Sequence, residues 1–310
     1  MNTRHWNLIQ GFALAALLPL FAACSSEDDG LLQSEEKQPV QVNITRATMN
    51  DGNDWSWQDN DQIGLNITNY GESTPNSYTL TYNNNVWTSN PATIEATLPA
   101  TIQAWWPVRE GVSAEKFNYD SDKIEYYEVV TGLGISERID LSDETKYRQC
   151  DWMTIDENAN QVASSSPNIT LKHRLCKVTI EFIFNGWDAN PTIQEIKFFA
   201  KKSNNISGMG TEENIEIIPK VIQKDKIYTA FISSYDYAGF PWLYLAQLKI
   251  EDNYYFITTS GLEIGYKGTL LQGQAYTFKV TVYNRNTSPI TRSAHSECEL
   301  ELIEVEDMNK

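Results

Sequence analysis

The chain contains few of the residues from which most enzyme and metal sites are built. Only 3 of its 310 residues are histidine, and only 4 are cysteine. His5, His173 and His295 are too far apart to form a metal-ligand motif, and there is neither a nucleophile elbow nor a phosphate-binding glycine loop. No pair stands out among the 41 acidic residues. We therefore expect no enzyme activity and no metal or cofactor site, and we expect His173 to be a hydrogen-bonded structural residue.

Positive charge is also scarce. The chain has 24 lysines and arginines against 41 acidic residues, which gives a formal net charge of −17. Binding to nucleic acid needs clustered basic residues that displace counterions from phosphates. Nucleic acid is therefore not an expected partner, and the acidity is typical of a protein kept soluble at a crowded surface.

The cysteines do not form a recognisable pattern. After Cys24, the remaining three, Cys150, Cys176 and Cys298, are widely spaced and odd in number. The sequence therefore predicts neither a disulfide framework nor a zinc motif. We expect Cys176 to be a small buried hydrophobic residue because it lies in an apolar run. One disulfide among the three remains open, and the sequence does not select a pair.

The chain has one long hydrophobic run, close to its start. Arg4 precedes the apolar residues 8–20, which are too few for a membrane-spanning helix but typical of a secretory signal. Phe21-Ala22-Ala23-Cys24 then resembles the lipobox of bacterial lipoproteins, although leucine is commoner where Phe21 stands. We predict a signal peptide over residues 1–23 and lipidation of Cys24.

An acidic stretch follows the predicted lipidation site. Ser25-Ser26-Glu27-Asp28-Asp29 resembles the signal that sends Bacteroidetes lipoproteins to the outer face of the outer membrane. The same residues also suit a solvated tether, and the two interpretations are compatible. The expected location is therefore the cell outer membrane, with the protein exposed at the surface.

Apolar residues alternate with polar residues in much of the chain after residue 40. This period of two places successive side chains on opposite faces of a strand. A hairpin is predicted where Tyr78, Leu80 and Tyr82 lead into Asn83-Asn84-Asn85 and Val86-Trp87 returns. One buried and one solvated face per strand predicts an all-β protein made of antiparallel sandwiches. Other alternating segments are residues 63–67, 178–184, 196–200 and 276–282.

The length favours two domains, with a boundary in the polar stretch of residues 156–168. We predict a tether and removable first strand over residues 24–46, an N-terminal sandwich over 47–166 and a C-terminal sandwich with an extension over 167–310. Residues 113–142 mix aromatic and acidic residues and suit either a long excursion or a short helix.

Five segments in order resemble the fimbrillin family of Bacteroidetes, the subunits of type V pili. Each segment combines apolar residues of a strand with a polar, glycine or proline residue of the family pattern. They are Ile44-Thr45-Arg46-Ala47-Thr48, Trp57 with Asp61-Gln62-Ile63-Gly64-Leu65, residues 102–108 with Trp105-Trp106-Pro107, residues 171–178 around His173, and Gly273-Gln274-Ala275-Tyr276-Thr277-Phe278.

The resemblance implies two transthyretin-like β-sandwich domains and a function in polymerisation. In the family, an arginine-specific protease removes the first strand of an exported lipoprotein, and a strand from another subunit fills the groove. Carried over to this chain, cleavage follows Arg46 and leaves Ala47 as the new N-terminus. The implied partners are other fimbrial subunits, the protease, the outer membrane through the lipid, and host or bacterial surface ligands during adhesion. An uncut anchor or tip subunit remains an alternative.

The residues before Arg46 suit a removable strand. Val40, Val42 and Ile44 alternate with polar residues, so their side chains are expected to share one face. Complete burial of three such side chains stabilises a protein by roughly 5–9 kcal/mol. Their loss is expected to leave an apolar groove beside an open sheet edge, which favours binding of a replacement strand.

A candidate donor strand lies near the other end of the chain. Cys298, Leu300 and Leu302 alternate with glutamates, after the polar residues 288–296. Two interpretations remain open, namely a donor strand over residues 296–306 and a final strand that pairs within its own domain.

The alternative function is a surface glycan-binding lipoprotein of the outer membrane. Trp55, Trp57, Trp105 and Trp106 offer rings on which sugars could stack. Packing in a sandwich core is the competing explanation for these tryptophans.

Overall fold

The computed structural model describes nine stretches of the chain. They are residues 36–46, 56–108, 138–155, 161–201, 214–232, 235–236, 244–258, 269–287 and 298–309. The predicted signal peptide, Cys24, Ala47 and Trp55 lie outside the described residues, and only the backbone of Arg46 is described.

Strands between residues 38 and 173 build an eight-stranded sheet and a two-stranded ribbon. The ribbon pairs β1 (Gln38–Pro39) with β6 (Glu95–Ala96). The sheet contains β2 (Asn43–Arg46), β3 (Gln62–Asn69), β4 (Asn76–Asn83), β5 (Val86–Asn90), β7 (Ala100–Trp106), β9 (Met153–Ile155), β10 (Gln161–Val162) and β11 (Asn168–His173). Its order is β2-β11-β9-β7-β3-β4-β5, with β10 beside β7.

Alternating side chains of these strands form the first core. Its buried members include Ile63, Leu65, Ile67, Ile102, Trp106, Ile169 and Leu171.

Strands from residue 176 onwards, together with β8 (Arg138–Asp140), form two five-stranded sheets around a larger core. One sheet has the order β15-β16-β12-β21-β22 and contains β12 (Cys176–Asn185), β15 (Lys220–Gln223), β16 (Ile227–Ile232), β21 (Gln274–Tyr283) and β22 (Cys298–Asp307). The other has the order β19-β18-β13-β14-β8 and contains β8 (Arg138–Asp140), β13 (Glu195–Lys201), β14 (Asn214–Ile218), β18 (Tyr244–Ile250) and β19 (Asn253–Thr258). A further ribbon pairs β17 (Tyr235–Asp236) with β20 (Thr269–Leu270).

A short helix, α1 (Glu144–Cys150), links the two cores. Asp143 caps it, because the Asp143 carboxylate accepts a hydrogen bond from the Lys146 backbone N–H. Tyr147 and Cys150 pack into the second core, whereas the Arg148 guanidinium reaches Asp61, just before β3, at 2.7 Å.

The predicted all-β architecture is confirmed, and so is the hairpin. Its turn is Asn84-Asn85, and both residues have positive φ, as a tight two-residue hairpin turn requires. Most strand pairs are antiparallel, but three among the described strands are parallel: β2 with β11, β12 with β21, and β8 with β14.

Strand pairing crosses the predicted domain boundary in both directions. β11 follows residue 166 but belongs to the first sheet, whereas β8 and α1 precede it and contribute Ile139 and Tyr147 to the second core. The division of the chain at this residue stays a prediction.

Candidate functional site

The predicted removable strand is two short strands with different partners. Gln38 and Pro39 pair with β6, and the Val40 N–H donates to the Ile94 carbonyl at 2.8 Å. The chain then crosses to the sheet, where the Gln41 N–H donates to the Ser165 carbonyl at 2.8 Å. Residues 38–46 are called the first segment below. It contacts two sheets, and each contact is short.

The second half of this segment forms one edge of the eight-stranded sheet. β2 runs parallel to β11 over four paired positions, including Ile44 with Ile169 and Arg46 with Leu171. The Asn43 N–H donates to the Pro167 carbonyl at 3.0 Å. β2 therefore covers an edge of β11 that its removal would leave open.

The three apolar side chains of the first segment all contact the first core, but to different extents. Val40 is 6% exposed, whereas Val42 and Ile44 are half-buried. One complete and two partial burials stabilise the segment by about 3–6 kcal/mol, less than complete burial of all three would give.

An open cleft lies beside the first segment. It has a volume of about 570 Å³, and Val40, Val42, Leu80, Trp87 and Ile94 are among its lining residues. The segment therefore does not fill the space between itself and the β4–β5 hairpin, so a bulkier strand has room there.

The candidate donor strand pairs within its own domain in this structure. β22 runs antiparallel to β21 over nine paired positions. Cys298 is buried, and Leu300 and Leu302 pack against the second core. The pairing shifts at a bulge between Thr277 and Phe278 of β21, which leaves Ile303 without an opposite residue.

Side chains also attach β22 to β21. The Tyr283 hydroxyl donates to the Glu299 carboxylate at 2.6 Å, and Lys279 forms an ion pair with Glu301. The hydrogen bond to Glu299 raises the pKa of Tyr283, because it favours the protonated phenol. β22 is therefore held more extensively than β2.

A polar junction around His173 joins the end of β11 to Asp151 and Asn309, two partners that sequence reasoning missed. His173 is 1% exposed, and its Nδ1 lies 2.7 Å from the buried Asp151 carboxylate. Asn309, just after β22, binds the His173 backbone with its side-chain amide. Asp151 and Asn309 carry no sequence signal of this role because each lies more than twenty residues from His173.

The segments that resemble the fimbrillin pattern contact one another. Gly64 pairs with Trp105, whose indole covers the glycine so closely that a Cβ there would lie 2.1 Å from a ring carbon. Gly273 lies beside the segment around His173, and its N–H donates to the Leu175 carbonyl at 3.0 Å. These glycines are therefore required by close packing.

The tryptophans and cysteines of the described chain are largely enclosed. Trp105 and Trp106 are 7% and 2% exposed, so neither offers a ring face to a sugar, and Trp57 is half-buried against the first core. Cys150, Cys176 and Cys298 are buried and form no disulfide. The described chain also contains no helix that is both long and apolar enough to cross a membrane.

Comparison with protein families assigns most of the chain. A model described as fimbrillin-like matches residues 45–295. The chain belongs to the fimbrillin-like family. This membership supports a fimbrial subunit that associates with other subunits in a fimbrium at the cell surface. Comparison with curated protein sequences finds no significant match.

Two solved structures share the fold at low sequence identity. A putative cell adhesion protein from Bacteroides uniformis is 14% identical, with a TM-score of 0.54 over 88% of this chain and 99% of that one. A second putative cell adhesion protein, from Bacteroides ovatus, is 12% identical, with a TM-score of 0.51 over 88% of this chain and 98% of that one. The tip fimbrial protein Mfa3 from Porphyromonas gingivalis is 9% identical, with a TM-score of 0.44 over 81% of this chain and 95% of that one.

Proposed function

We propose that this fimbrillin-like chain is exported as a lipoprotein through Cys24, is cut after Arg46, and polymerises when β22 of one subunit replaces β2 of the next. The observation that carries the proposal is the position of β2. It is an edge strand of four residues that covers β11, and the inward side chains of β11, Ile169 and Leu171, are buried. Removal of β2 opens an edge and uncovers part of a core at the same place.

The energies favour exchange only after cleavage. The first segment contributes about 3–6 kcal/mol of apolar burial, and this is lost when it leaves. When β22 leaves β21 it gives up nine paired positions and the burial of Cys298, Leu300 and Leu302, so its transfer is favourable only if its ten residues regain as much along the opened edge of β11. A groove that still holds the first segment offers no such gain, so uncut subunits are expected to stay monomeric.

β22 supports the donor role by its length and pattern. It has ten residues against four in β2, and its inward side chains at Cys298, Leu300 and Leu302 repeat the spacing of Val40, Val42 and Ile44. An alternating strand of this kind can pair by its backbone and fill a groove with every second side chain.

Cleavage is tested by mapping the mature N-terminus. In cells that produce the protein, we expect mass spectrometry to find Ala47 as the first residue. Arg46→Ala should prevent this start, and Arg46→Lys should do the same if the protease requires arginine. An Ala47 start that persists in both variants contradicts cleavage by an arginine-specific protease.

Lipidation is tested separately. Cys24→Ser should abolish incorporation of a labelled fatty acid.

The donor assignment is tested by fixing β22 in its own domain. Thr281 and Glu299 are directly paired across β21 and β22, so Thr281→Cys with Glu299→Cys places two thiols at a spacing suited to a disulfide. After removal of residues 1–46, the reduced protein should form laddered polymers and the oxidised protein should stay monomeric. Thr281→Cys alone is the control. Polymers of the oxidised protein would refute the donor assignment.

The glycan-binding alternative gains no support from the described residues. Its two central rings, Trp105 and Trp106, are in the interior.

A further inference from the structure

The turn that follows β22 reaches the strand that carries the proposed groove. The Asn309 Oδ1 accepts a hydrogen bond from the His173 N–H at 2.7 Å, and the Asn309 Nδ2 donates to the His173 carbonyl at 3.2 Å. One side-chain amide thus satisfies both backbone groups of His173, as a neighbouring strand would.

Met308 fixes the same turn to the second core. Met308 is fully buried, and its N–H donates to the Gly273 carbonyl at 2.8 Å. Gly273 has a φ of +73°, and a Cβ there would lie 2.1 Å from the Asn309 Nδ2. Met308 and Asn309, called the latch below, therefore hold the end of β22 against both β21 and β11.

β2 and Asn309 occupy the same edge of β11. The Pro167 carbonyl accepts from the Asn43 N–H, and the Ile169 carbonyl accepts from the Thr45 hydroxyl at 3.2 Å. Carbonyls two residues apart in a strand point to the same edge, so the carbonyl of His173 points to the edge that β2 covers. Asn309 of the latch therefore binds the same edge of β11 as β2 does. It binds at His173, two residues beyond Leu171, which is the last residue paired with β2.

β11 depends on β2 for half of its length. On its other edge, β11 pairs with β9 only from Leu171 to His173. Among the described strands, residues 168–170 pair with β2 alone. Loss of β2 therefore leaves these residues without a strand on either edge, and fraying can proceed along β11 towards His173.

We propose that β11 couples the two strands, so that docked β2 stabilises the latch and loss of β2 promotes release of β22. This inference rests on the proposed function and assigns its regulation. In each subunit, β22 stays paired with β21 until cleavage opens the groove of that same subunit. The coupling is reciprocal, because a free energy shared by two sites acts equally on both. Weakening the latch must therefore loosen β2 as well.

A double-mutant cycle in the uncut chain, produced without the predicted signal peptide and lipid, tests the coupling. Ile44→Asp undocks β2, and Asn309→Ala removes both hydrogen bonds to His173. The readout is the rate at which iodoacetamide alkylates Cys298 on β22 in dilute monomer, with hydrogen exchange of residues 298–309 measured in parallel. Cys150 and Cys176 report on the second core, and exposed Asn286→Ala is the control.

Each single variant should raise the alkylation rate of Cys298 by about tenfold, as expected for loss of one or two hydrogen bonds. The double variant should fall well short of the product of the two effects. Asn286→Ala should change nothing, and Cys150 and Cys176 should stay protected. The proposal is overturned if either single variant has no effect, if the two effects multiply fully, or if all three cysteines react together.

This outcome is independent of the polymerisation assay. Less-than-multiplicative effects without polymers after removal of residues 1–46 would refute the proposed function and keep the coupling. Polymers formed through β22, together with fully multiplicative effects, would refute the coupling and keep the proposed function.

Discussion

Gly64 shows how one residue decides a packing arrangement. The Trp105 indole lies directly over it, and three ring carbons are within 2.7 Å of where a Cβ would be. Gly64→Ala should therefore displace the indole and destabilise the protein by about 1–3 kcal/mol. Urea unfolding measures the change, and Gly71→Ala gives the separate cost of a Cβ at a glycine with open space but positive φ. A cost below about 0.5 kcal/mol for Gly64→Ala would contradict the packing explanation.

The free energy of unfolding should depend on pH in the alkaline range, because Tyr276 is a buried phenol. Burial raises the pKa of Tyr276 above its ordinary value of 10.0, and its hydroxyl accepts a hydrogen bond from the Leu271 N–H at 2.7 Å. Folding thus favours the protonated phenol. The corresponding stability is complete below about pH 10 and is lost as pH rises through the folded-state pKa.

The pH effect is measured by comparing the wild type with Tyr276→Phe. Urea unfolding between pH 9 and 11.5 should show the wild-type free energy of unfolding falling more steeply, by at most about 1.4 kcal/mol per pH unit. The other buried tyrosine with a raised pKa, Tyr228, contributes to both proteins. Parallel curves would show that Tyr276 does not titrate in this range.

At the scale of elements, the first segment is held unevenly along its length. Val40 and Val42 both line the open cleft, but Val40 is 6% exposed whereas Val42 is only half-buried. Val40→Ala should therefore cost about 1.5–2.5 kcal/mol, and Val42→Ala about half as much. Urea unfolding of the uncut protein gives both values. A larger cost at Val42 would mean that the cleft closes in solution.

The alternation of apolar and polar residues explains which elements could be predicted from the sequence. Period two identified β3, β12, β13 and β21 because apolar side chains alternate with polar ones in each, although β3 is buried on both faces in the structure. The three parallel pairings were not predicted, because a parallel partner is set by the course of the whole chain and leaves no local pattern. Val178, for example, pairs with Tyr276, almost a hundred residues away.

The candidate site was predictable in part for the same reason. Alternation placed Val40, Val42 and Ile44 on one face, and the three side chains do contact one core. The change of partner within the segment was not visible, because it depends on Ile94 and Ser165, which come from distant loops. Their roles in processing and exchange stay predictions.

For the whole molecule, charge opposes association of one copy with another. The protein that lacks residues 1–46 has a formal net charge of −15, which repels other copies over about 30 Å at 0.01 M salt but only about 8 Å at 0.15 M. Polymerisation of the protein that lacks residues 1–46 should therefore accelerate several-fold between these salt concentrations. Light scattering measures the rate, and sorbitol of equal osmolality is the control. A rate that is independent of salt would show that encounter between subunits does not limit growth.

β22 forms one margin of its sheet, and β21 lies directly inside it. A subunit that donates β22 therefore leaves ten residues of its own backbone, Gln274–Tyr283, bare along one side. In a fibre, that vacancy would recur once per subunit along the whole length. Such a fibre would carry a row of identical adhesive sites, so lateral bundling of neighbouring fibres would come from the same step that lengthens them.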